Sequence, residues 1–395
     1  MAGFAQPTER TVNNGQLILQ DVPEIPAALV ARLNQYQNIR SAALLDWDRD
    51  GKSLYLRTRF GDVSQVHRMF GPGGARQQMT WLKHSVGQVT RRRNGRDLAF
   101  TMDQDGGEQD QIYLLNPETG ETRLLTDGKS RNRLIVWNDD GDALAFQSTQ
   151  RNGSSNDVWM MDPSRPAEAE LLVESDNGDW WGPADFSADG KYLLVQQMLN
   201  VTDSRIHLLD LETRQMRLLV GSDEYPSANR AVVFDHRGNG FYFISNSRGQ
   251  AAELVWQSIE PGATPEHITP NIPWDVSKFA LSDDGKRGAF VTNEGGISRL
   301  YLLNTQSRRF ADVRRMPTGI ITNLKFHPGN RKLAVTLSSA QTPSDIFVMD
   351  LGRSPTSART LQRWTFSEVG GLDTDSCVEP ELVQYPTVDL KGNKP

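Results

Sequence analysis

The 395-residue chain contains a single cysteine, Cys377, and only six histidines. One cysteine excludes an intramolecular disulfide and any zinc or iron–sulfur site built from several thiolates. No two histidines stand two or four residues apart, so no pair has the spacing of metal ligands on a strand or helix. The sequence therefore predicts neither a metal site nor a bound cofactor.

Long apolar runs and an excess of positive charge are also missing. No stretch approaches the roughly 18 consecutive apolar residues that a membrane span needs. Because 43 basic residues face 49 acidic ones, the net charge is −6 and no overall positive field is available to hold a phosphate backbone. We expect neither a membrane nor a nucleic acid as partner.

The first residues bear on location. Met1–Gln6 lacks a basic segment followed by an apolar one, and the sequence as written therefore predicts a cytoplasmic protein. Gly3 and Ala5 before Gln6 would suit the end of a signal peptide, so a periplasmic location is expected if an export signal has been lost upstream.

The short motifs of several enzyme classes do not occur. The sequence has no G-x-S-x-G elbow of an α/β-hydrolase, no H-E-x-x-H zinc motif, and neither of the glycine-rich nucleotide-binding patterns G-x-x-x-x-G-K-[ST] and G-x-G-x-x-G. No catalytic residue is predicted.

What the chain does contain is a repeat: a polar turn ending in glycine, followed by a strand of apolar or aromatic residues. It occurs seven times, and the glycines step by 44, 46, 49, 48, 47 and 44 residues. Asp-Gly and Asn-Gly tolerate the positive φ of tight hairpins, so each copy should join two antiparallel strands. The repeat glycines are Gly51, Gly95, Gly141, Gly190, Gly238, Gly285 and Gly329.

Most periods then continue with a second apolar run that ends at Asp or Asn, such as Ile112–Asn116, and with a shorter strand after another turn. Four short antiparallel strands per period of about 46 residues are typical of a propeller blade. The sequence predicts an all-β fold, a seven-bladed β-propeller over residues 41–365. Each period supplies its own four strands, so the ring is expected to close by side-chain packing alone.

The two ends carry other signals. Apolar residues at three- and four-residue steps predict an amphipathic helix over 24–36, with Pro26 in its first turn. Residues 1–40 are interpreted as an N-terminal extension with a strand and this helix, and something must cover the apolar stripe. Residues 366–395 are interpreted as a linker with at most one strand, at Leu382–Val383.

Candidate binding residues precede the inner strands, where connections between blades cross one rim of the channel. They are Arg131, Arg133, Trp180, Trp181 and Arg230. Arginines and aromatic rings in a concave polar site suit a peptide carboxylate, carbonyl or aromatic side chain. The alternative is structural, with tryptophans wedged between blades and arginines paired with aspartates of the turns.

Two charged clusters coincide with the repeat turns. Arg91–Arg93 with Arg96 is interpreted as a solvated basic face rather than a phosphate site. The pairs Asp139–Asp140 and Asp283–Asp284 are interpreted as turn residues. A metal-dependent propeller hydrolase would need inward carboxylates from several blades, whereas the inner strands offer mostly apolar residues.

The tail carries a family resemblance. Trp364–Asp373, Val378–Val383 and Tyr385–Thr387 resemble the segment that joins propeller to catalytic domain in bacterial members of the prolyl oligopeptidase family. The similarity is to the dipeptidyl or acylaminoacyl peptidase branch. Val22–Pro26 and Leu33–Asn38 are similar to the segment that precedes the first blade in the same proteins.

The resemblance implies an N-terminal propeller that caps an α/β-hydrolase carrying Ser, Asp and His and that restricts access of large substrates. The chain stops at Pro395, about where the hydrolase would begin, so no catalytic residue of the family can be assigned to a position here. We expect a non-catalytic gating and substrate-orienting domain of a serine peptidase, inactive alone, with peptide substrates and a hydrolase domain in cis or trans as partners. The alternative is a stand-alone TolB-like propeller that binds proteins or peptides.

Overall fold

The computed structural model describes residues 8–249 and 251–383. It contains seven four-stranded antiparallel sheets, and each consists of four consecutive strands. The predicted seven-bladed propeller is confirmed. Residues 1–7 of the predicted extension and 384–395 of the predicted linker, including the family-like Tyr385–Thr387, lie outside the described residues.

Blades 1 to 4 are formed by strands β3 to β18, and in each blade the first strand is the innermost. Blade 1 has β3 (Ala43–Trp47), β4 (Leu54–Thr58), β5 (Gln65–Met69) and β6 (Gln77–Gln78). Blade 2 has β7 (Val86–Arg91), β8 (Leu98–Met102), β9 (Gln111–Leu115) and β10 (Thr122–Leu124). Blade 3 has β11 (Asn132–Trp137), β12 (Leu144–Ser148), β13 (Asp157–Met161) and β14 (Glu170–Val173). Blade 4 has β15 (Trp180–Phe186), β16 (Tyr192–Asn200), β17 (Asp203–Asp210) and β18 (Met216–Val220).

Blades 5 to 7 continue the same order around the ring. Blade 5 has β19 (Asn229–Phe234), β20 (Gly240–Ser245), β21 (Glu253–Ser258) and β22 (Glu266–His267). Blade 6 has β23 (Val276–Leu281), β24 (Arg287–Glu294), β25 (Ile297–Asn304) and β26 (Phe310–Asp312). Blade 7 has β27 (Ile320–Phe326), β28 (Lys332–Ser338), β29 (Asp345–Leu351) and β30 (Ala358–Arg363).

The repeat turns join the first and second strands of each blade, as predicted. In five of the seven turns the repeat glycine has a positive φ, between 65° and 74°, which side chains rarely adopt. Its N–H donates to the carbonyl three residues earlier, as from Gly51 to Asp48 at 2.9 Å. In blade 7 the structure places Asn330, not Gly329, in this conformation, with φ 57°. Asparagine tolerates that region because its short side chain bonds locally.

The core lies between neighbouring sheets rather than within one. Each apolar cluster combines residues of two blades. One cluster packs Leu44, Trp47 and Leu54 of blade 1 against Ala334, Ile346 and Val348 of blade 7. Each blade is therefore held by two neighbours.

The seam between blades 1 and 7 is joined by more than packing. The Ala42 N–H donates to the Ser344 carbonyl at 2.8 Å, the counterpart of the bond from Val86 to Ser64 between blades 2 and 1. Arg40 adds a backbone bond to Glu368 at 2.9 Å and an ion pair at 3.3 Å. The prediction that the ring needs no borrowed strand is confirmed, but the prediction of closure by packing alone is wrong. The seam leaves backbone groups that must be paired.

Outside the ring, the described residues begin with a hairpin of β1 (Glu9–Val12) and β2 (Leu17–Gln20), so the extension has two strands where one was predicted. The single α-helix of the described residues, α1, spans Ala27–Gln37. It begins three residues later than predicted because Pro26 is extended, with ψ 134°, and precedes the helix. No residue of α1 is buried, and Leu29, Val30, Leu33 and Tyr36 keep 41–48% of their surface exposed.

The C-terminal segment leaves β30 and returns along the seam. It forms one short 3₁₀ turn, Thr374–Ser376, and no strand up to Val383, the last described residue. The optional strand at Leu382–Val383 is absent from the described part of the chain. None of the described helices has the length and apolar character to cross a bilayer.

We predict that Trp47 is a principal contact of the ring seam. Its ring is fully buried, lies 4.7 Å from His327 and 5.6 Å from Trp364, and its Nε1 donates to the Lys325 carbonyl at 3.2 Å. Trp47→Ala should lower the free energy of unfolding in urea by about 3–5 kcal/mol.

The matched control is Trp81→Ala, since Trp81 is 74% exposed. This substitution should change the free energy of unfolding by less than about 0.5 kcal/mol. Equal small losses for the two variants would show that the seam does not depend on Trp47.

Candidate functional site

The inner strands of the blades enclose an axial channel of about 1080 Å³, with lining residues from all seven blades. We call its two ends the start mouth, where the inner strands begin, and the turn mouth, where they end in the repeat turns. The free edge of each inner strand faces the axis, and consecutive residues along it, such as Leu134–Trp137, line the channel.

The turn mouth is crossed by one side chain. Arg93 of blade 2 lies 3.6 Å from the carboxylate of Asp139 in blade 3 and 4.0 Å from that of Asp283 in blade 6. Blades 2 and 6 stand on opposite sides of a seven-membered ring, so Arg93 spans the opening between them. Its side chain remains 44% exposed.

The charges at this end perturb one another. Burial opposes the charge of Arg93, but Asp185, Asp139 and Asp283 outweigh it and raise the arginine pKa. Burial raises the pKa of Asp185 to about 7, although Arg93 and the Phe234 N–H, 2.8 Å away, favour the carboxylate. Burial also raises the pKa of Asp283, against the pull of Arg93. The turn mouth therefore contains a cluster of interacting charges, in which the Asp185 carboxyl has a pKa near neutrality.

The structure corrects the interpretation of the basic cluster. Arg92 Nε donates to the Gly141 carbonyl of the next blade at 2.5 Å, and Arg96 pairs with Asp50 at 2.7 Å. Together with Arg93, these side chains are bound to neighbouring blades rather than forming a solvated face. Asp139 and Asp283 lie in turns, as interpreted, and also hold Arg93.

The start mouth has a different character. Trp180 and Arg230 line it, together with Asn200 and Val201 from the tip of the long β16–β17 hairpin. The absence of a side chain at Gly182 makes room for Trp180, since a Cβ there would stand 3.0 Å from its ring and 2.5 Å from Leu134 Cδ1. Two of the five predicted binding residues thus face the channel.

The other three are engaged elsewhere. Trp181 is buried in the core between blades 3 and 4. Arg131 donates to Asn156 at 3.2 Å, and Arg133 pairs with Asp110 at 3.3 Å. None of these three is among the residues that line the channel.

Sequence reasoning missed most of the charged lining. Asp46, Asp185 and Lys325 occupy equivalent positions, two residues before the first residue of the repeat turn, and all face the channel. A charge at that position in an otherwise apolar strand was the available signal. Within residues 8–249 and 251–383, no group of three His, Cys, Asp or Glu side chains is arranged to hold a metal ion.

Known proteins share the propeller architecture of this chain. The family model described as the prolyl oligopeptidase N-terminal beta-propeller domain matches residues 83–360. No curated protein sequence matches the chain significantly.

Solved structures resemble the chain in fold. A prolyl endopeptidase from a study of inter-domain dynamics in catalysis and specificity has a TM-score of 0.73 and 14% identity, covering 93% of this chain and 55% of its own. Prolyl oligopeptidase B from Galerina marginata, bound to a 25mer macrocyclization substrate, has a TM-score of 0.73 and 14% sequence identity. The match covers 93% of this chain and 56% of that protein. The apo form of that protein has a TM-score of 0.71 and 14% sequence identity, and the match again covers 93% of this chain and 56% of that protein. The chain thus spans little more than half the length of these proteins.

We predict that Asp185 makes stability depend on pH. Its folded pKa of about 7 lies above the unfolded value of ~3.9, so the folded state binds more protons between these pH values. Wild-type stability therefore loses up to about 1.4 kcal/mol per pH unit through this group as pH rises across that window. Asp185→Asn removes this pH-dependent loss. In urea unfolding from pH 4 to 8, the free energy of unfolding of the variant should therefore increase relative to that of the wild type as pH rises.

The control is Asp189→Asn in the turn of the same blade. A hydrogen bond from Ser187, at 2.7 Å, lowers the pKa of Asp189, so its contribution is present at high pH and lost as pH falls. The free energy of unfolding of this variant should therefore decrease relative to that of the wild type as pH rises. A difference between Asp185→Asn and wild type that does not change with pH would contradict the prediction.

Proposed function

The chain belongs to the prolyl oligopeptidase family, and we propose that its propeller gates access to, and orients peptides for, the α/β-hydrolase domain of a serine peptidase. It carries no catalysis itself under this proposal. The observation that carries the proposal is the asymmetry of the channel. One mouth is crossed by Arg93, whereas the other mouth faces the side from which both ends of the chain leave the ring.

The position of the chain ends supports this arrangement. Arg40, just before blade 1, pairs with Glu368, just after blade 7, at the end where inner strands begin. A domain attached after residue 383 would therefore start on the side of the start mouth. Peptides within the channel would then pass to it without leaving the protein.

The exposed helix supports a partner domain over a stand-alone binding module. On the apolar face of α1, Leu29, Val30, Leu33 and Tyr36 each keep 41–48% of their surface exposed, and no residue of the helix is buried. Continuous exposed apolar surface marks an interaction site. A TolB-like propeller acting alone would leave this face in water.

Peptides are the substrate class that fits the channel. Its volume of about 1080 Å³ slightly exceeds the ~300–1,000 Å³ that is usual for small-molecule cavities. Its walls combine apolar side chains with backbone groups and charges, which suits an extended chain. A structural relative, prolyl oligopeptidase B from Galerina marginata, is bound to a 25mer macrocyclization substrate.

We predict that Arg93 sets the size limit at the turn mouth. The test fuses the catalytic half of a family peptidase after the chain and compares cleavage rates for a peptide of about five residues and one of about thirty. Arg93→Ala removes the side chain that crosses the opening, so cleavage of the longer peptide should rise severalfold relative to the shorter one. The unfused chain should not react with a fluorophosphonate probe.

The matched control is Arg96→Ala. Arg96 lies in the same turn but pairs with Asp50 and Glu118 instead of crossing the channel, so the ratio of rates should not change. An unchanged ratio in Arg93→Ala, or degradation of a folded protein as readily as the short peptide by the wild-type fusion, would contradict the proposal. Stoichiometric fluorophosphonate labelling of the unfused chain would contradict its non-catalytic role.

A further inference from the structure

Three cations of the channel wall lack a carboxylate within ion-pair distance in the described part of the chain. They are Arg91 at the end of β7 in blade 2, Arg230 on β19 of blade 5 and Lys278 on β23 of blade 6. Arg91 donates to the carbonyls of Arg92 and Arg93 of its own turn, both at 3.1 Å. By contrast, Arg93 is held by two aspartates at the turn mouth, and Lys325 lies 3.7 Å from Asp46. Arg230 and Lys278 are therefore the two channel cations without a carboxylate partner that lie on adjacent blades in the half of the channel towards the start mouth.

The two cations are neighbours across a blade junction. Arg230 Nη2 donates to the carbonyl of Ser277, the residue before Lys278, at 2.9 Å. Burial in the wall lowers the pKa of both groups, and the charge of Arg230 lowers that of Lys278 further. Two like charges that are partly desolvated and close together repel each other, and an anion between them would relieve the repulsion.

Arg230 uses one of its donors on Ser277, and a guanidinium offers five. Its remaining N–H groups and the Lys278 ammonium are available to a ligand with two acceptor oxygens. A carboxylate accepts such charge-assisted bonds from two cations at once. Trp180, Leu134 and Ala231 in the same wall provide contact surface for the rest of a chain that carries the carboxylate.

We infer that Arg230 and Lys278 form a subsite for the carboxylate of a peptide, either its C-terminus or an acidic side chain. This inference deepens the proposed function, on which it rests for the peptide class of the ligand. Binding of a carboxylate here would hold the charged end of the peptide beside blades 5 and 6 and would orient the remainder along the axis.

The experiment is calorimetric titration of the full chain, without any hydrolase domain, with two probes. Both are the same N-acetylated tetrapeptide of alanine and proline, one with a free C-terminal carboxylate and one with a C-terminal amide. Because only the acid offers a negative charge to the two cations, it should bind at least about tenfold more tightly than the amide. Lys278→Gln and Arg230→Gln should each bring the ratio of the two dissociation constants close to one.

Two further variants separate the subsite from general effects of charge and folding. Lys278→Arg keeps the charge and should keep the preference for the acid. Lys325→Gln removes another channel-lining lysine that already has Asp46 as partner, and should leave the ratio unchanged. Lys278→Gln should not lower the melting temperature, because it removes one of two repelling charges.

The inference is overturned if wild-type chain binds acid and amide equally, if neither binds, or if Lys325→Gln reduces the ratio as much as Lys278→Gln does. Since the titration needs no catalytic half, its outcome is separable from that of the fusion experiment. If the chain prefers the acid but Arg93→Ala does not change the ratio of cleavage rates in the fusion, the subsite is retained and gating is rejected. If the ratio changes but the chain shows no preference for the acid, only the subsite is rejected.

Discussion

The first strand of every blade has one edge without a partner strand, because that edge faces the neighbouring blade and the axis. Its backbone groups must still be paired, since a buried unpaired group costs about 1–3 kcal/mol. Side chains of the preceding blade supply the partners. Gln88 bonds both the N–H and the carbonyl of Ile135, each at 3.2 Å, and Gln196 bonds Ala231 and Asn229, both at 2.9 Å.

The same device closes the ring at its seam. Thr336 Oγ1 accepts from the Leu44 N–H at 2.8 Å, and Asn323 donates to the Leu44 carbonyl at 2.8 Å. Because each inner strand is fixed by the blade before it, the channel has a defined lining, and charged residues can be held within it. Arg93 can cross the turn mouth, and Arg230 and Lys278 can remain unpaired near the other, only because all seven strands are positioned together.

The fold was predictable from local chemistry, whereas the site was mostly not. Turn glycines and alternating strands are local features of one blade. Because the blade repeats, the regular spacing from Gly51 to Gly285 predicts the whole ring. Pairing of Arg93 with Asp283 joins residues 190 positions apart on opposite sides of the ring, and no local pattern encodes it. The predicted residues Arg131 and Arg133 have the right chemistry and the right rim, but neighbouring polar residues occupy them. The start of α1 was misplaced because Pro26 was taken as its first turn rather than as the residue before it.

The central claim is that the seam is closed by the same hydrogen bonds as the other junctions, so that the channel is continuous. Hydrogen exchange of the full chain, followed by mass spectrometry on fragments that resolve Leu44 and Ala231, tests it most directly. Buried hydrogen-bonded amides exchange through large-scale unfolding. The account predicts equal, high protection of the Leu44 amide at the seam and the Ala231 amide between blades 4 and 5. Exchange of Leu44 as fast as the exposed β1–β2 hairpin would contradict it.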